Sequence, residues 1–306
     1  MKVLVATEKP FAAVAVDGIR KVVEEAGYTL DILEKYTDKA QLLNAVADAD
    51  AVIIRSDIID AEVLDAAKQL KIVVRAGAGY DNVDLAAATA HKVVVENTPG
   101  QNSNAVAELV FGMAIMSVRN MYNGTSGTEL KGKRLGLQAY GQVGRNVARI
   151  AKGIGMTISA FDPYCPDEAM VAEGINPVHS VEELYSGNDI VSIHIPATPE
   201  TKGSIGYDLI TKMPKGGVLI NTARKEVIDE AGLEKALEAR QDLKYVADVK
   251  PGNAEELKAK FGDRVFFTPK KMGAQTSEAN INAGIAAAHQ VVAYLRDGIN
   301  KYQVNK

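Results

Sequence analysis

The 306-residue chain has one cysteine, Cys165, and no tryptophan. A single thiol forms neither an internal disulfide nor a thiolate metal cluster. It fits a reducing, cytoplasmic setting, which is the expectation here. Without tryptophan, aromatic stacking rests on tyrosine and phenylalanine. Histidine is scarce as well, confined to His91, His179, His194 and His289. No His/Cys/Asp grouping has ligand spacing, so no metal is expected. Basic residues are not in excess. A net charge of -4 offers no electrostatic reason to expect nucleic acid or an anionic membrane as partner. No stretch is apolar enough to span a bilayer. The opening MKVLVATEKP has too short an apolar run for a signal peptide, so none is expected. What is present is an ordinary globular balance, 47% hydrophobic and 24% charged, on a length that suits two domains.

Short β-branched runs alternate with amphipathic stretches. KVLVA (2–6), AVIIRS (51–56), KIVVRA (71–76) and KVVVEN (92–97) read as strands, nearly continuous in apolar residues. Strands covered by helices on both faces have that character. Residues 16–27 read as a helix, with Ile19, Val22 and Val23 at helical spacing and Gly27 as its stop. The turn cluster NTPGQNSN follows Asn97. A long helix is then expected over about 103–121, apolar nearly all round, as in a helix buried between domains or subunits. A second series of strands follows: 135–140, 157–161, 189–195, 217–222 and 244–249. An Ala-rich helix over about 277–297 closes the chain. The βαβα order predicts an α/β protein of two doubly wound parallel-sheet domains.

Residues 134–164 read RLGLQAYGQVGRNVARIAKGIGMTISAFDPY. A strand, a turn with Gly141 and Gly144, a helix from about Val143 and a second strand ending at Asp162 follow in register. The dinucleotide fingerprint is G-x-G-x-x-G, and here Ala139 replaces its first glycine. Gly141 lets backbone approach a pyrophosphate, and Gly144 lets the helix pack close on the strand. The helix start, Gln142–Val143, offers N–H groups and partial positive charge to phosphates. Ala139 is expected to avoid the positive φ that glycine tolerates. Asp162 suits the ribose hydroxyls and repels a 2′-phosphate. Pro163, Tyr164 and Cys165 after it supply no basic group, so NAD is the cofactor expected rather than NADP.

Several motifs now stand in order: VVRAGAGYDNVDL (73–85), NTPGQNSNAVAEL (97–109), the glycine turn, HIPATPETKG (194–203), NTARKEVIDE (221–230) and TPKKMGAQTSEAN (268–280). With them the chain resembles the D-2-hydroxyacid dehydrogenase family, and most of all its short-form phosphoglycerate dehydrogenases, along essentially its whole length. The resemblance implies a flavodoxin-like substrate domain, 1–97 plus 284–306, and a Rossmann NAD-binding domain, 98–283. It also implies an active site in the cleft and a homodimer joined through the helix after Asn97.

A 2-hydroxyacid site needs a cation for the carboxylate, a base or donor at the C2 oxygen, and a nicotinamide held against C2. Arg224, at a strand end in NTAR, has the planar fork that suits a carboxylate. The family resemblance places an acid/base histidine after a Thr-Pro step, but this chain reads Thr268-Pro269-Lys270-Lys271-Met272-Gly273-Ala274. Lys271 is therefore the expected acid/base, with Lys270 the alternative. Arg224 nearby and burial would lower a lysine pKa from its ordinary value of about 10.4. The glutamate that orients the family's histidine has its counterpart near Asn253, with Glu255 and Glu256 beyond. A lysine has no tautomer to fix. The resemblance further implies that Asp248 hydrogen-bonds the nicotinamide carboxamide, flanked by Thr222 and Ala223, and that Pro196, Gly273 and Ala274 belong to the cofactor site. Arg55-Ser56 resembles a phosphate-binding pair. Ala78 and Gly79 could offer N–H groups to the substrate carboxylate, and Asn102 could touch substrate.

The expected reaction is oxidation of 3-phosphoglycerate with NAD, for serine biosynthesis. The alternatives are a glyoxylate or hydroxypyruvate reductase on the same fold, and an NAD-sensing protein without turnover.

Overall fold

The computed structural model describes residues 1–305. It divides into two compact units, Met1–Asn102 with the segment from Gln275 onward, and Ser103–Ala274.

The first unit is built from β1 (Lys2–Thr7), α1 (Ala13–Glu25), β2 (Thr29–Glu34), α2 (Lys39–Val46), β3 (Ala51–Ile54), α3 (Ala61–Ala66), β4 (Ile72–Arg75), α4 (Leu85–Ala90) and β5 (Val94–Asn97). Its parallel sheet runs β2-β1-β3-β4-β5, the flavodoxin-like order. The apolar runs have a direct explanation. Leu4, Ala6, Val52, Ile54 and Val73 enter one core, whereas Val3, Val5, Ile53, Ile72 and Val74 enter another. Both faces of every central strand are buried, so the period-2 alternation disappears. β2 was not expected from the sequence. It is an edge strand with an exposed Thr29 and Asp31.

The second unit contains α5 (Ser103–Val118), β6 (Arg134–Gln138), α6 (Gln142–Ile154), β7 (Thr157–Phe161), α7 (Asp167–Ala172), β8 (Asn176–Pro177), α8 (Val181–Gly187), β9 (Ile190–Ile193), α9 (Tyr207–Ile210), β10 (Val218–Asn221), α10 (Glu230–Ala239), β11 (Lys244–Ala247), α11 (Ala254–Phe261) and β12 (Val265–Phe267). Its sheet order is β12-β11-β10-β9-β6-β7-β8, all parallel. The unit's first strand, β6, therefore sits between β7 and β9. This is the Rossmann winding, and its direction reverses between β6 and β9, where open α/β sheets bind ligands. The edge strands β8 and β12 were also not read from the sequence, and they have two and three residues.

The last helix, α12 (Ser277–Asp297), belongs wholly to the first unit and packs on α1, β3 and β4. A boundary at 284 would cut through it, and the chain leaves the second unit at Ala274. The α1–α12 contact is close because both helices offer glycine. A Cβ at Gly18 would stand 2.7 Å from Ile285 Cδ1, and one at Gly284 3.1 Å from Ile19 Cδ1. No helix among the described residues is long and apolar enough to cross a membrane.

Candidate active site

The turn from β6 into α6 corrects one expectation. Ala139 does adopt a positive φ, +82°, at a cost of about 1–2 kcal/mol for a residue with a Cβ. Its neighbours hold it there. The Ala139 N–H donates to the Phe161 carbonyl at 2.9 Å, extending the β6–β7 ladder by one residue. Its carbonyl packs on α6 so closely that a Cβ at Gly144 would lie 2.5 Å from the oxygen. Gly144 is thus required by packing.

Gly141 is different. Its φ of -82° and ψ of -155° suit any residue, and a Cβ there would meet nothing within 4 Å. Neither strain nor packing asks for glycine at 141, which fits a position kept open for a bound molecule. No side chain caps α6, so the N–H groups of Gln142 and Val143 can face an anion. Asp162 follows β7. Its Oδ2 accepts the Tyr140 N–H at 2.8 Å and its Oδ1 the Tyr164 N–H at 2.9 Å. Each oxygen keeps a lone pair for a ribose hydroxyl. These residues fit a dinucleotide at the winding reversal.

The sequence reading found no basic group beside Asp162, but folding brings one. Arg145, on the first turn of α6, lies over the Tyr140 ring with Cζ 4.6 Å from the centroid, and its Nη2 reaches Cys165 Sγ at 3.5 Å. Glu173 pairs with its Nη1.

At the other strand ends, His194 follows β9 and donates its N–H to the Gln138 carbonyl at 2.9 Å. Its Nε2 is buried without a hydrogen-bond partner, as are Ser192 Oγ and Thr222 Oγ1. Burial pulls the His194 pKa down to about 4, so the ring is neutral at pH 7. Pro196 is exposed in the loop beyond. After β10, Asn221 shapes the turn that carries Arg224: its Oδ1 accepts the Ala223 N–H at 3.0 Å and its Nδ2 donates to the Arg224 carbonyl at 2.9 Å. Asn221 lies inside the NTAR motif, and its Asx-turn chemistry was the available signal. Arg224 is half-buried and hydrogen-bonds the Ala223 carbonyl at 2.9 Å. It has no carboxylate partner among the described residues, so its charge is available to an anion.

Asp248, directly after β11, is buried and engaged on both oxygens. Its Oδ1 accepts the Thr268 hydroxyl at 2.9 Å and the Met272 N–H at 2.6 Å, and its Oδ2 accepts the Gly273 N–H at 2.8 Å. A Cβ at Gly273 would lie 3.0 Å from Asp248 Oδ2 and 3.2 Å from Val106 Cγ2. Asp248 therefore ties down both ends of the segment on which Lys270 and Lys271 stand exposed, and Ala274 ends the unit. Glu255 pairs with Lys250 at 2.6 Å, and Glu256 is exposed.

In the first unit, Arg55 follows β3 and is half-buried. It donates to the Lys9 and Pro10 carbonyls at 3.1 Å each and to Asn280 Oδ1 at 2.8 Å. Arg75, which the sequence reading did not single out, ends β4 beside it and donates Nε–H to the Arg55 carbonyl at 2.9 Å. Neither arginine has a salt bridge among the described residues. Burial lowers both guanidinium pKa values, and the Arg55 charge lowers that of Arg75 further. Gly77 leaves Arg75 its room, since a Cβ there would coincide with the Arg75 Nη1. Ser56 and Ala78 are exposed, and Gly79 is half-buried. The Ala78 carbonyl accepts from Asn97 Nδ2 at 2.6 Å. Asn102 immediately precedes α5.

Comparison with known proteins agrees with this geometry. Residues 107–269 match the profile of the D-isomer specific 2-hydroxyacid dehydrogenase, NAD binding domain. The chain is 34% identical over 302 residues to a D-3-phosphoglycerate dehydrogenase of Methanocaldococcus jannaschii, covering 93% of this chain and 57% of that one. It thus spans little more than half the length of that relative. It is 32% identical to a hydroxypyruvate reductase of Thermotoga maritima, covering 86% of this chain and 90% of that one. A solved structure of NAD+-bound 3-phosphoglycerate dehydrogenase from Entamoeba histolytica superposes with a TM-score of 0.87 at 49% identity, covering 100% of this chain and 99% of the other. The second unit is an NAD-binding domain, and the chain belongs to the D-isomer specific 2-hydroxyacid dehydrogenase family.

Proposed function

We propose that the chain oxidises the 2-hydroxyl of 3-phosphoglycerate with NAD, giving 3-phosphohydroxypyruvate for serine biosynthesis. The observation that carries the phosphate is the pair Arg55 and Arg75, two partly desolvated cations side by side, neither in a salt bridge among the described residues, with Asp57 and Asp81 acting on them only at longer range. Such a pair is costly by itself and is relieved by a multiply charged anion. The relatives and the solved structure named for phosphoglycerate dehydrogenase support the same reading.

Arg224 takes the substrate carboxylate and polarises the C2 oxygen. Lys271, in its neutral, unprotonated form, accepts the proton of the C2 hydroxyl, and the C–O bond becomes a ketone as the C2 hydrogen departs with its electron pair. When bound, NAD supplies the acceptor for that hydride. In the reducing direction the Lys271 ammonium returns the proton, and a high pKa is then no obstacle. Asp248 keeps the lysine segment in place. It can still offer a lone pair of Oδ2 to a carboxamide beside Thr222, Ala223, Pro196, Gly273 and Ala274. Ala78, Gly79, Asn102 and Ser56 complete the substrate contacts. A homodimer through α5 is part of the proposal, since Gly112 and Ile115 on that helix are exposed. So is a cytoplasmic setting, in keeping with the free thiol of Cys165.

One observation favours reduction of hydroxypyruvate or glyoxylate as a second reading: the chain covers 90% of a hydroxypyruvate reductase. Steady-state rates with 3-phosphoglycerate, D-lactate, hydroxypyruvate and glyoxylate, under NAD(H) and NADP(H), separate the two. A clear preference for an unphosphorylated acid would remove the role given to Arg55 and Arg75.

A further inference from the structure

Five groups form a connected cluster at the start of α6, all within the second unit. The Tyr140 N–H holds Asp162 Oδ2 at 2.8 Å, and the Tyr140 hydroxyl donates to Glu173 Oε2 at 2.7 Å. The other Glu173 oxygen pairs with Arg145, whose guanidinium lies on the Tyr140 ring and against Cys165. Cys165 closes a turn with Asp162, its N–H donating to the Asp162 carbonyl at 3.3 Å. Arg145 therefore borders the turn whose carboxylate faces the cofactor's ribose. Its side chain is 35% exposed and that of Glu173 43%, so a ligand can reach both. The other cation nearby, Lys152, points at the Glu173 carbonyl.

A planar guanidinium next to the ribose position is the group that would bind a 2′-phosphate. Here its charge is already matched. We propose that Glu173 is a specificity-determining residue for the cofactor: by holding Arg145 in an ion pair over Tyr140, it denies NADP the cation that its 2′-phosphate needs. Asp162 repels that phosphate directly, and Glu173 withholds the charge that would offset the repulsion. Discrimination is thus shared between a residue at the end of β7 and one just beyond α7, eleven positions later in the sequence.

The inference rests on the cofactor site described above, and binding of NADH and NADPH tests the two separately. Nicotinamide fluorescence reports both, and no tryptophan emission interferes. In Glu173→Gln, which keeps a hydrogen-bonding group opposite Tyr140, the Kd for NADPH should fall about fivefold to tenfold, with the Kd for NADH within twofold. The gain should grow in Asp162→Ser/Glu173→Gln and vanish when Arg145→Gln is added. Arg145→Gln alone should raise the NADPH to NADH Kd ratio, because it leaves the Glu173 carboxylate unpaired, and adding Glu173→Gln should restore the parent ratio. That single variant gives a readout independent of whether Glu173→Gln folds. An unchanged ratio in Glu173→Gln, a gain that persists without Arg145, or an Arg145→Gln ratio that does not rise or is not restored by adding Glu173→Gln would each overturn the proposal. Absence of NADH binding to the wild-type chain would overturn the cofactor site and this proposal with it.

Discussion

Two alanine-sized decisions mark the glycine turn. At Ala139 a Cβ is present where the backbone would prefer none, and at Gly141 it is absent although the chain has room for it. The second carries the functional meaning. Gly141→Ala should fold with unchanged stability, because φ, ψ and space all permit it. Its NADH Kd should rise by roughly 5- to 150-fold, the equivalent of about 1–3 kcal/mol of overpacking against the pyrophosphate. Thermal unfolding together with a binding titration checks this, and unaltered affinity would assign Gly141 no part in the site. His194 makes a different prediction. Its folded pKa is depressed to about 4 from 6.5, so its contribution is fully present above pH 6.5. It is lost as pH falls from 6.5 to 4, because the unfolded chain takes up the proton first. The loss is at most about 3 kcal/mol. Denaturant unfolding at pH 7 and pH 4.5 should therefore show a shallower pH slope for His194→Gln than for the parent chain.

At the level of elements, the segment 268–273 shows how a loop without regular structure is made definite. Asp248 receives three donors from it, and Lys271 is adjacent to one of the anchored residues while Lys270 is one step further away. Lys271→Ala should lower kcat by about 100-fold or more, as loss of a general base does, and Lys270→Ala should lower it less than threefold. Full activity in Lys271→Ala would remove it from the chemistry. Most of the strands legible from sequence have a buried, two-sided environment: β1, β3, β4, β6, β9, β10 and β11 lie where apolar runs put them, and α12 where helical spacing does. Edge strands β2, β8 and β12 were not legible, because β2 alternates polar with apolar residues and the other two are only two and three residues long, whereas edge strand β5 was legible, its outer side being covered by the chain end, where the Val304 N–H donates to the Val95 carbonyl at 2.9 Å. The site divides the same way. Gly141, Gly144, Asp162 and Arg224 stand in local motifs. Arg75 beside Arg55, Glu173 beside Arg145 and Asp248 beneath the lysine segment are pairings over 20, 28 and 24 positions, which only the sheet order creates. The expected φ of Ala139 failed because a local steric preference of 1–2 kcal/mol is outweighed by the packing of β6, β7 and α6 around it.

For the whole molecule, family membership and the NAD-binding domain leave the choice of substrate to a few side chains. Arg224 asks for a carboxylate, Arg55 and Arg75 ask for a second anion, and a lysine stands where the family's histidine is expected. The proposed function joins these features in an enzyme that takes a phosphorylated 2-hydroxyacid and exchanges its proton with an amine. The proposed base also separates such an enzyme from a protein that only senses NAD, since a sensor has no use for one. The most direct measurement is the absorbance of NADH after mixing the wild-type chain with NAD and 3-phosphoglycerate, with D-lactate run in parallel. A steady rise with 3-phosphoglycerate, at a kcat/KM at least about tenfold above that for D-lactate, is the predicted result. No steady change with any 2-hydroxyacid, or a preference for D-lactate, would contradict it.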